Sequence, residues 1–323
     1  MSKSALARQY RDKHGMEMPT RKLARIMYSE NSLMFKDEED ARWVLRAIEG
    51  KVKSTSTKRT HFMAESRPLN PYSLPKSDEA KWESFVLNHK RVLVLSDIHI
   101  PYHSIEALTA AFDYGKKMKP DAVLLNGDTI DFFGLSRYCK EPNKRDFAGE
   151  LEAFREFFII LQKTFNCKIY FKTGNHEERY NHFLWMKAGE LSGVNEFKLD
   201  EIIKARAEGI EVIGDKRIIK AGDLNIVHGH EFGGSIFSPV NVARGLFLRA
   251  KTSALQGHNH QTSEHTESNM NGKITTTWST GCMCELHPAY LPINKWNHGF
   301  CIVDIDGDDF QVHNKRISKG IVL

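Results

Sequence analysis

The sequence predicts an α/β protein with a small helical module ahead of its main domain. Three patterns carry that expectation. Between residues 91 and 191 short apolar runs alternate with longer helical stretches, which is the pattern of successive βα units on a parallel sheet. From about residue 210 short strands dominate, so a second sheet packed against the first is expected. Before residue 60, apolar residues recur at helical spacing in otherwise polar segments.

In chain order, residues 4–13 and 20–28 read as helices, the second starting at Thr20 after Pro19. A third covers Glu38–Glu49, where Ala41, Val44, Leu45 and Ile48 fall at i, i+3, i+4 and i+7. Residues 1–60 hold 14 Lys and Arg against 8 Asp and Glu; the rest of the chain holds 32 against 33. The net charge of +5 therefore sits in this basic helical module. A helix-turn-helix-like contact with DNA or RNA is one expectation for it, and a packing or oligomerisation cap is the other. Residues 61–87, with Pro68, Pro71 and Pro75, read as an extended linker, which leaves 88–323 for the main domain.

In that domain strands are expected at Arg91–Ser96, Ala122–Asn126 and Ile169–Lys172, with helices at Ile105–Met118, Phe147–Phe165 and Arg179–Leu191. Further strands are expected near Ile210–Ile213, Arg217–Lys220, Leu224–His228, Ala254–Gly257, Thr275–Thr280 and Phe300–Ile305, with a helix at Val240–Lys251. A hydrophobic share of 41% and a charged share of 27% exclude wholesale disorder. No run approaches the ~18 apolar residues of a membrane span, and the N-terminus lacks the apolar core of a signal peptide. The five cysteines (Cys139, Cys167, Cys282, Cys284, Cys301) are odd in number and form no Cys-x-x-Cys, against a disulfide framework or a zinc ribbon. Reduced thiols and a cytoplasmic location are expected, with no membrane partner.

Five strand ends carry metal-ligand residue types. Asp97-Ile98-His99 ends the first strand, where alternate residues would share a side. Gly127-Asp128 ends the second. Gly174-Asn175-His176-Glu177 follows the third, with Gly174 permitting a tight turn. His228-Gly229-His230 and Gly257-His258-Asn259-His260 end two more. Each alone is an ordinary turn or a surface histidine. Together they supply oxygen and nitrogen donors for two divalent ions with open positions, whereas a structural zinc site would be closed and rich in thiolate.

The ordered set Asp97-x-His99, Gly127-Asp128-x-x-Asp131, Gly174-Asn175-His176-Glu177, His228 and Gly257-His258-x-His260 resembles the calcineurin-like metallophosphoesterase superfamily. The helical extension coupled to Ser96-Asp97-Ile98-His99-Ile100-Pro101-Tyr102-His103 is similar to phosphoesterases of phages and bacteria, which would place the protein in a host's cytoplasm if it is phage-encoded. The resemblance implies a four-layer αββα sandwich with two metal ions on the sheet edges, Mn²⁺ first, with Fe, Zn, Ni or Mg as alternatives. By position, Asp97, His99, Asp128 and His260 would hold one ion. Asp128, Asn175, His228 and His258 would hold the other, with Asp128 bridging.

It further implies phosphoester hydrolysis by hydroxide held between the metals. His176 would protonate the leaving oxygen or steady the transition state, and Asp131 would orient His176 or a ligand. Protein phosphatases of the superfamily follow this Asp with Arg-Gly, but here Phe132-Phe133 follows, so that phosphate-clamping arginine is missing. Arg179 and His230 are expected at the substrate, with His103, Arg137 and Arg244 as further candidates. Phe132, Phe133 and Tyr138 stack on a base or pack under the loop. The expected activity is a phosphodiesterase or nuclease acting on nucleic acid. A phosphomonoesterase acting on nucleotides or phosphoproteins, and a non-catalytic nucleic-acid-binding scaffold, are the alternatives.

Overall fold

Three helices near the N-terminus, each apolar along one stripe, close on one another. They are α1 (Lys3–His14), α2 (Thr20–Glu30) and α3 (Glu38–Ile48). Ser2 and Asp37 cap α1 and α3 through their side-chain oxygens. Leu6, Ala7, Leu23, Ala24, Met27, Phe35, Ala41, Val44 and Leu45 form the core of this unit, with Ile48 partly buried at its edge. One of the module's basic residues is internal: Arg11 is buried and ion-paired with the equally buried Glu49, beside Thr20. Burial pushes the Glu49 carboxyl up, but Lys51, Arg11 and Thr20 outweigh it and leave its pKa below the ordinary value of 4.5. Because the folded pKa is depressed, the pair's contribution is complete above the unfolded value and is lost as pH falls through the folded one. Glu49→Ala is expected to weaken this unit by about 3–5 kcal/mol, since it strands a buried guanidinium. Amide exchange of α1–α3 in the full chain, at pH 7 and pH 3, reads both effects.

The computed structural model describes residues 1–52, 70, 72–79, 81–138, 146–233 and 240–323. They divide into compact units at Met1–Glu79 and Ala80–Leu323. Residues 61–69, 71 and 80 of the expected linker, residues 53–60 of the expected module, and Cys139 lie outside the described residues.

The second unit runs β1 (Phe85–Val86), β2 (Arg91–Leu95), α4 (Ile105–Met118), β3 (Ala122–Asn126), α5 (Phe147–Thr164), β4 (Lys168–Lys172), α6 (Asn175–Lys187), α7 (Leu199–Ile202) and β5 (Glu211–Ile213). It continues β6 (Ile219–Ala221), β7 (Leu224–Ile226), α8 (Val242–Ala250), β8 (Ala254–Gln256), β9 (Ser263–Ser268), β10 (Ile274–Ser279), β11 (His298–Asp306), β12 (Asp309–Ser318) and β13 (Ile321–Val322). A seven-stranded sheet has the order β13-β12-β11-β2-β3-β4-β5, and a six-stranded sheet the order β1-β6-β7-β8-β10-β9.

Alternation along the strands explains the layers. On β2, Leu93 and Leu95 face the helix-side core, which also holds Leu108, Phe154, Phe158 and Leu184 from α4, α5 and α6. Val92 and Val94 face the other way and pack with Ile219, Leu224, Ile226 and Leu255 of the smaller sheet. Leu246 of α8 packs on Val227 and Ala254 in a separate cluster of the smaller sheet. The result is the four-layer αββα order, with both inner faces apolar.

The structure corrects the sequence at several points. The main domain begins ahead of residue 88, because Phe85–Val86 pairs in parallel with Ile219 and Lys220. The strand-rich second half supplies β6 to β10 to the expected second sheet, joined there by β1, but not all of its strands stay in that sheet. β11 returns to the first sheet and pairs antiparallel with β2, Cys301 opposite Val94, and β12 and β13 follow it. The first sheet is therefore mixed, with only β2 to β5 parallel. The helix expected from Arg179 begins at Asn175, so Asn175 and His176 stand on its first turn and not in a loop.

A candidate dinuclear metal centre

Strands β2, β3 and β4 of one sheet and β7 and β8 of the other end at a shared edge, and the expected site residues follow those ends. Past β2 and β3 the backbone stays paired: Asp97 N–H donates to Gly127 O (3.1 Å), His99 N–H to Asp128 O (3.0 Å) and Ile100 N–H to Thr129 O (2.9 Å). This is not continued strand. Asp97, His99, Asp128, His258 and His260 all have positive φ, from 51° to 65°. Side-by-side alternation therefore does not explain how Asp97 and His99, or His258 and His260, reach one place; tight left-handed turns do. Each such residue costs about 1 kcal/mol or more, and such strain collects at functional sites. Two glycines permit the crossing of the sheets. A Cβ on Gly127 (φ +86°) would lie 2.4 Å from His228 Nδ1, and one on Gly257 would lie 1.9 Å from Ser96 Oγ.

All seven expected ligands meet. His260 Nε2 lies 3.2 Å from Asp97 Oδ1 and 3.3 Å from His99 Nε2. His99 Nε2 is 4.0 Å from Asp128 Oδ2. On the other side of Asp128, His228 Nε2 lies 3.3 Å from Oδ2 and 3.3 Å from Asn175 Oδ1. His258 joins Asp128 and His228 with donor atoms within 4.8 Å of one another, and its backbone N–H donates to Asp97. Asp128 is thus common to both halves, as a bridging ligand must be.

The chemistry of this donor set fits divalent cations. His99 Nδ1 faces Asp131 Oδ2 (2.9 Å) and His228 Nδ1 faces Asn126 O (2.8 Å), so each Nδ1–H has an acceptor and each Nε2 lone pair is left for the cluster. The Nε2 atoms of His99 and His260 face each other at 3.3 Å, close enough for one cation to take both. Burial opposes ionisation of Asp128, yet His176, His228 and His99 hold its carboxyl well below the usual range.

Of the remaining expected residues, Asp131, His176, Arg179 and His230 also gather here. Asp131 touches two histidines: its carboxylate takes His99 Nδ1, and its carbonyl takes His176 Nδ1 at 3.0 Å. His176 Nε2 stands 3.7 Å from Asp128 Oδ2, as close as a ligand would, and accepts from Arg179 Nη2 (2.8 Å). Arg179 Nη1 also donates to Asp131 O (2.9 Å). His230 packs against His228, ring centroids 5.3 Å apart, and bonds Glu178 through Nε2 (3.1 Å). Arg137 and Tyr138 line the neighbouring cleft, whereas Phe132 is buried and stacked on Phe147 and Tyr180. His103 is half-buried and bridges to Cys284, and Arg244 lies on the exposed side of α8.

Sequence reasoning missed the residues that hold the cluster in place. The buried Glu177 accepts from the N–H groups of Asp128, Thr129, Ile130 and Gly174, clamping the β3 turn to the start of α6. Its position three residues after Gly174, the capping-box spacing, was the available signal. Glu231 accepts from His228 and Gly229 N–H and pairs with the fully buried Lys172 at 3.0 Å. Asn126 reaches from β3 to Val227 O of the other sheet (2.9 Å). Cys284 and Trp296 both contact His260, Cys284 Sγ at 3.9 Å from Nδ1 and the Trp296 ring at 4.1 Å.

No helix among the described residues is long and apolar enough to cross a membrane. The Gene 54 protein of Mycobacterium phage L5 is 27% identical over 231 residues, covering 68% of this chain and 90% of that protein. The Gene 54 protein of Mycobacterium phage D29 is 26% identical over 233 residues, with the same coverage. Among solved structures, Vacuolar Protein Sorting 29 from Cryptosporidium parvum matches with a TM-score of 0.40 and 15% identity, covering 73% of this chain and 95% of that one. A dimetal phosphatase from Danio rerio matches at 0.37 and 12%, covering 72% and 98%. The family model for calcineurin-like phosphoesterases matches residues 90–271, more than half of the chain and all seven expected metal ligands. With the cluster it spans, that match makes this chain a member of the calcineurin-like phosphoesterase family.

Proposed function

We propose that this chain is a metal-dependent hydrolase that cleaves phosphodiester bonds in nucleic acid. The observation that carries the diester preference is the state of Arg179. Its guanidinium is bonded into the cluster, and its charge is already shared with Asp131, whose carboxylate lies 3.3 Å from Nη1. A phosphomonoester brings about two negative charges near neutral pH, whereas a diester brings one. A half-committed arginine suits the smaller charge.

Asp97, His99, Asp128 and His260 would hold one divalent ion, and Asp128, Asn175, His228 and His258 the other. When bound, such ions, Mn²⁺ first among them, lower the pKa of water and neutralise phosphoryl oxygens. The protein's own part is positional. Asp131 O fixes the His176 ring through Nδ1, so that Nε2 faces Asp128 and Arg179. Once Arg179 turns to a phosphoryl oxygen, His176 Nε2 can take a proton from solvent and pass it to the leaving oxygen.

Full-length protein with Mn²⁺ is expected to cleave bis-p-nitrophenyl phosphate with a higher kcat/KM than p-nitrophenyl phosphate. A preference for the monoester would move the chain to the phosphatases. Failure on both with every divalent ion would leave a binding scaffold.

The N-terminal unit supports nucleic acid as the substrate, since α2 exposes Arg21, Lys22 and Arg25 together. Deleting residues 1–60 is expected to weaken binding to DNA or RNA and to flatten its salt dependence. An unchanged salt slope would return these helices to a structural role. The phage relatives support action in a host's cytoplasm.

A further inference from the structure

A cleft of about 490 Å³ adjoins the metal centre at Asn175 and runs between α6 and Leu135–Tyr138. That volume is within the usual range for small organic ligands. Its lining follows one helical face: Asn175, Arg179, His182 and Trp185 recur at spacings of three and four. The row therefore leads from a metal ligand, past the arginine of the cluster, to an aromatic outer wall.

Three observations say what this wall is for. Trp185 is 63% exposed and Tyr138, across the cleft, is 67% exposed, so two large rings stand in water beside the centre. His182 packs against Trp185 with centroids 5.4 Å apart, and the Arg137 guanidinium lies 5.3 Å from the Tyr138 ring centre. The acidic residue of the cleft, Glu178, is already engaged by His230 and Lys216, so it does not dominate the charge. Exposed rings, one backed by a second ring and one by a guanidinium, are the elements that seat unpaired bases. A duplex keeps its base faces stacked inside the helix, whereas a single strand offers them.

We infer that this cleft seats a nucleobase next to the scissile phosphate of single-stranded nucleic acid, with Trp185 and Tyr138 as the stacking platforms. The inference rests on the phosphodiesterase reading above and names its substrate class. Arg179 then marks the phosphate end of the subsite and Trp185 its base end.

The test compares two diesters of equal charge and leaving group, thymidine 5′-p-nitrophenyl phosphate and methyl p-nitrophenyl phosphate, on full-length protein. The ratio of their kcat/KM values is expected to fall about tenfold in Trp185→Ala, the loss of one base stack. Trp185→Phe, which keeps an aromatic face, is expected to retain most of the ratio. A second measurement needs no turnover. In EDTA, the wild type is expected to bind labelled tetrathymidylate more tightly than an abasic tetramer, and Trp185→Ala to lose that preference. An unchanged ratio and an unchanged preference in Trp185→Ala would overturn the subsite. If the wild type cleaves neither diester with any metal, the hydrolase reading fails, and the base preference in EDTA decides the cleft independently.

Discussion

Asp128→Asn is expected to lower metal-dependent diester hydrolysis by on the order of 10³-fold while leaving the fold intact. The carboxylate is 2% exposed and is the only cluster member within 4.0 Å of His99, His176 and His228 among the described residues. Replacing one oxygen by an amide group keeps the volume, and the amide oxygen can still accept from His176 N–H, which Asp128 Oδ1 now does at 2.9 Å. What disappears is the charge shared by both halves of the site, which holds its electrostatics together whether the partners are imidazoles or cations. Titration calorimetry with Mn²⁺ should show fewer or weaker sites, circular dichroism should be unchanged, and turnover of bis-p-nitrophenyl phosphate should collapse. Wild-type turnover in this variant would remove Asp128 from the bridging position. His258→Ala, at the half-buried rim, should cost less than Asp128→Asn and should affect one ion more than the other.

The parts of this site that could be read from the sequence are those whose meaning is local. An apolar run followed by Gly-Asp, or by two histidines at i and i+2, marks a strand end, and five such ends in one domain mark the ligands. The backbone state of those ligands was not legible. Asp97 and His99 have the spacing of a strand face, yet they sit at φ 56° and 54°, because backbone pairing with Gly127 and Asp128 turns the chain there. Also hidden were the groups that act between distant segments. Lys172 looked like the polar end of a strand, but its ammonium is buried against Glu231, 59 positions away in the chain, beneath the backbone of His228. The return of β11 to β2 joins residues some 200 positions apart, and β1 is only two residues long, too short to show a period. Pairing of that kind is set by which open edge remains, and no window of sequence contains both partners.

Glu177 offers the complementary experiment, because it supports the site without presenting an atom to it. Its Oε2 accepts from Asp128 N–H (3.0 Å) and Gly174 N–H (2.7 Å), and its Oε1 from Thr129 N–H (2.8 Å) and Ile130 N–H (3.2 Å). The side chain is fully buried, so no water stands ready to replace it. Glu177→Ala leaves four donors without acceptors, and an unmet buried donor costs about 1–3 kcal/mol. Allowing for relaxation, a loss of about 3–5 kcal/mol is expected, read as the urea midpoint of the main domain. Glu177→Gln is expected to do nearly as much harm despite its equal size. Whichever way the amide turns, one pair of N–H groups then faces an NH₂ group, donor against donor. Both variants should also bind Mn²⁺ more weakly, since the β3 turn and the first turn of α6 lose their common anchor. This separates the two acidic residues: Asp128→Asn removes metal chemistry at constant stability, and Glu177→Gln removes stability and metal affinity together. A Glu177→Gln protein that melts with the wild type and binds Mn²⁺ equally well would show that the clamp is dispensable and that the strained turns hold the ligands unaided.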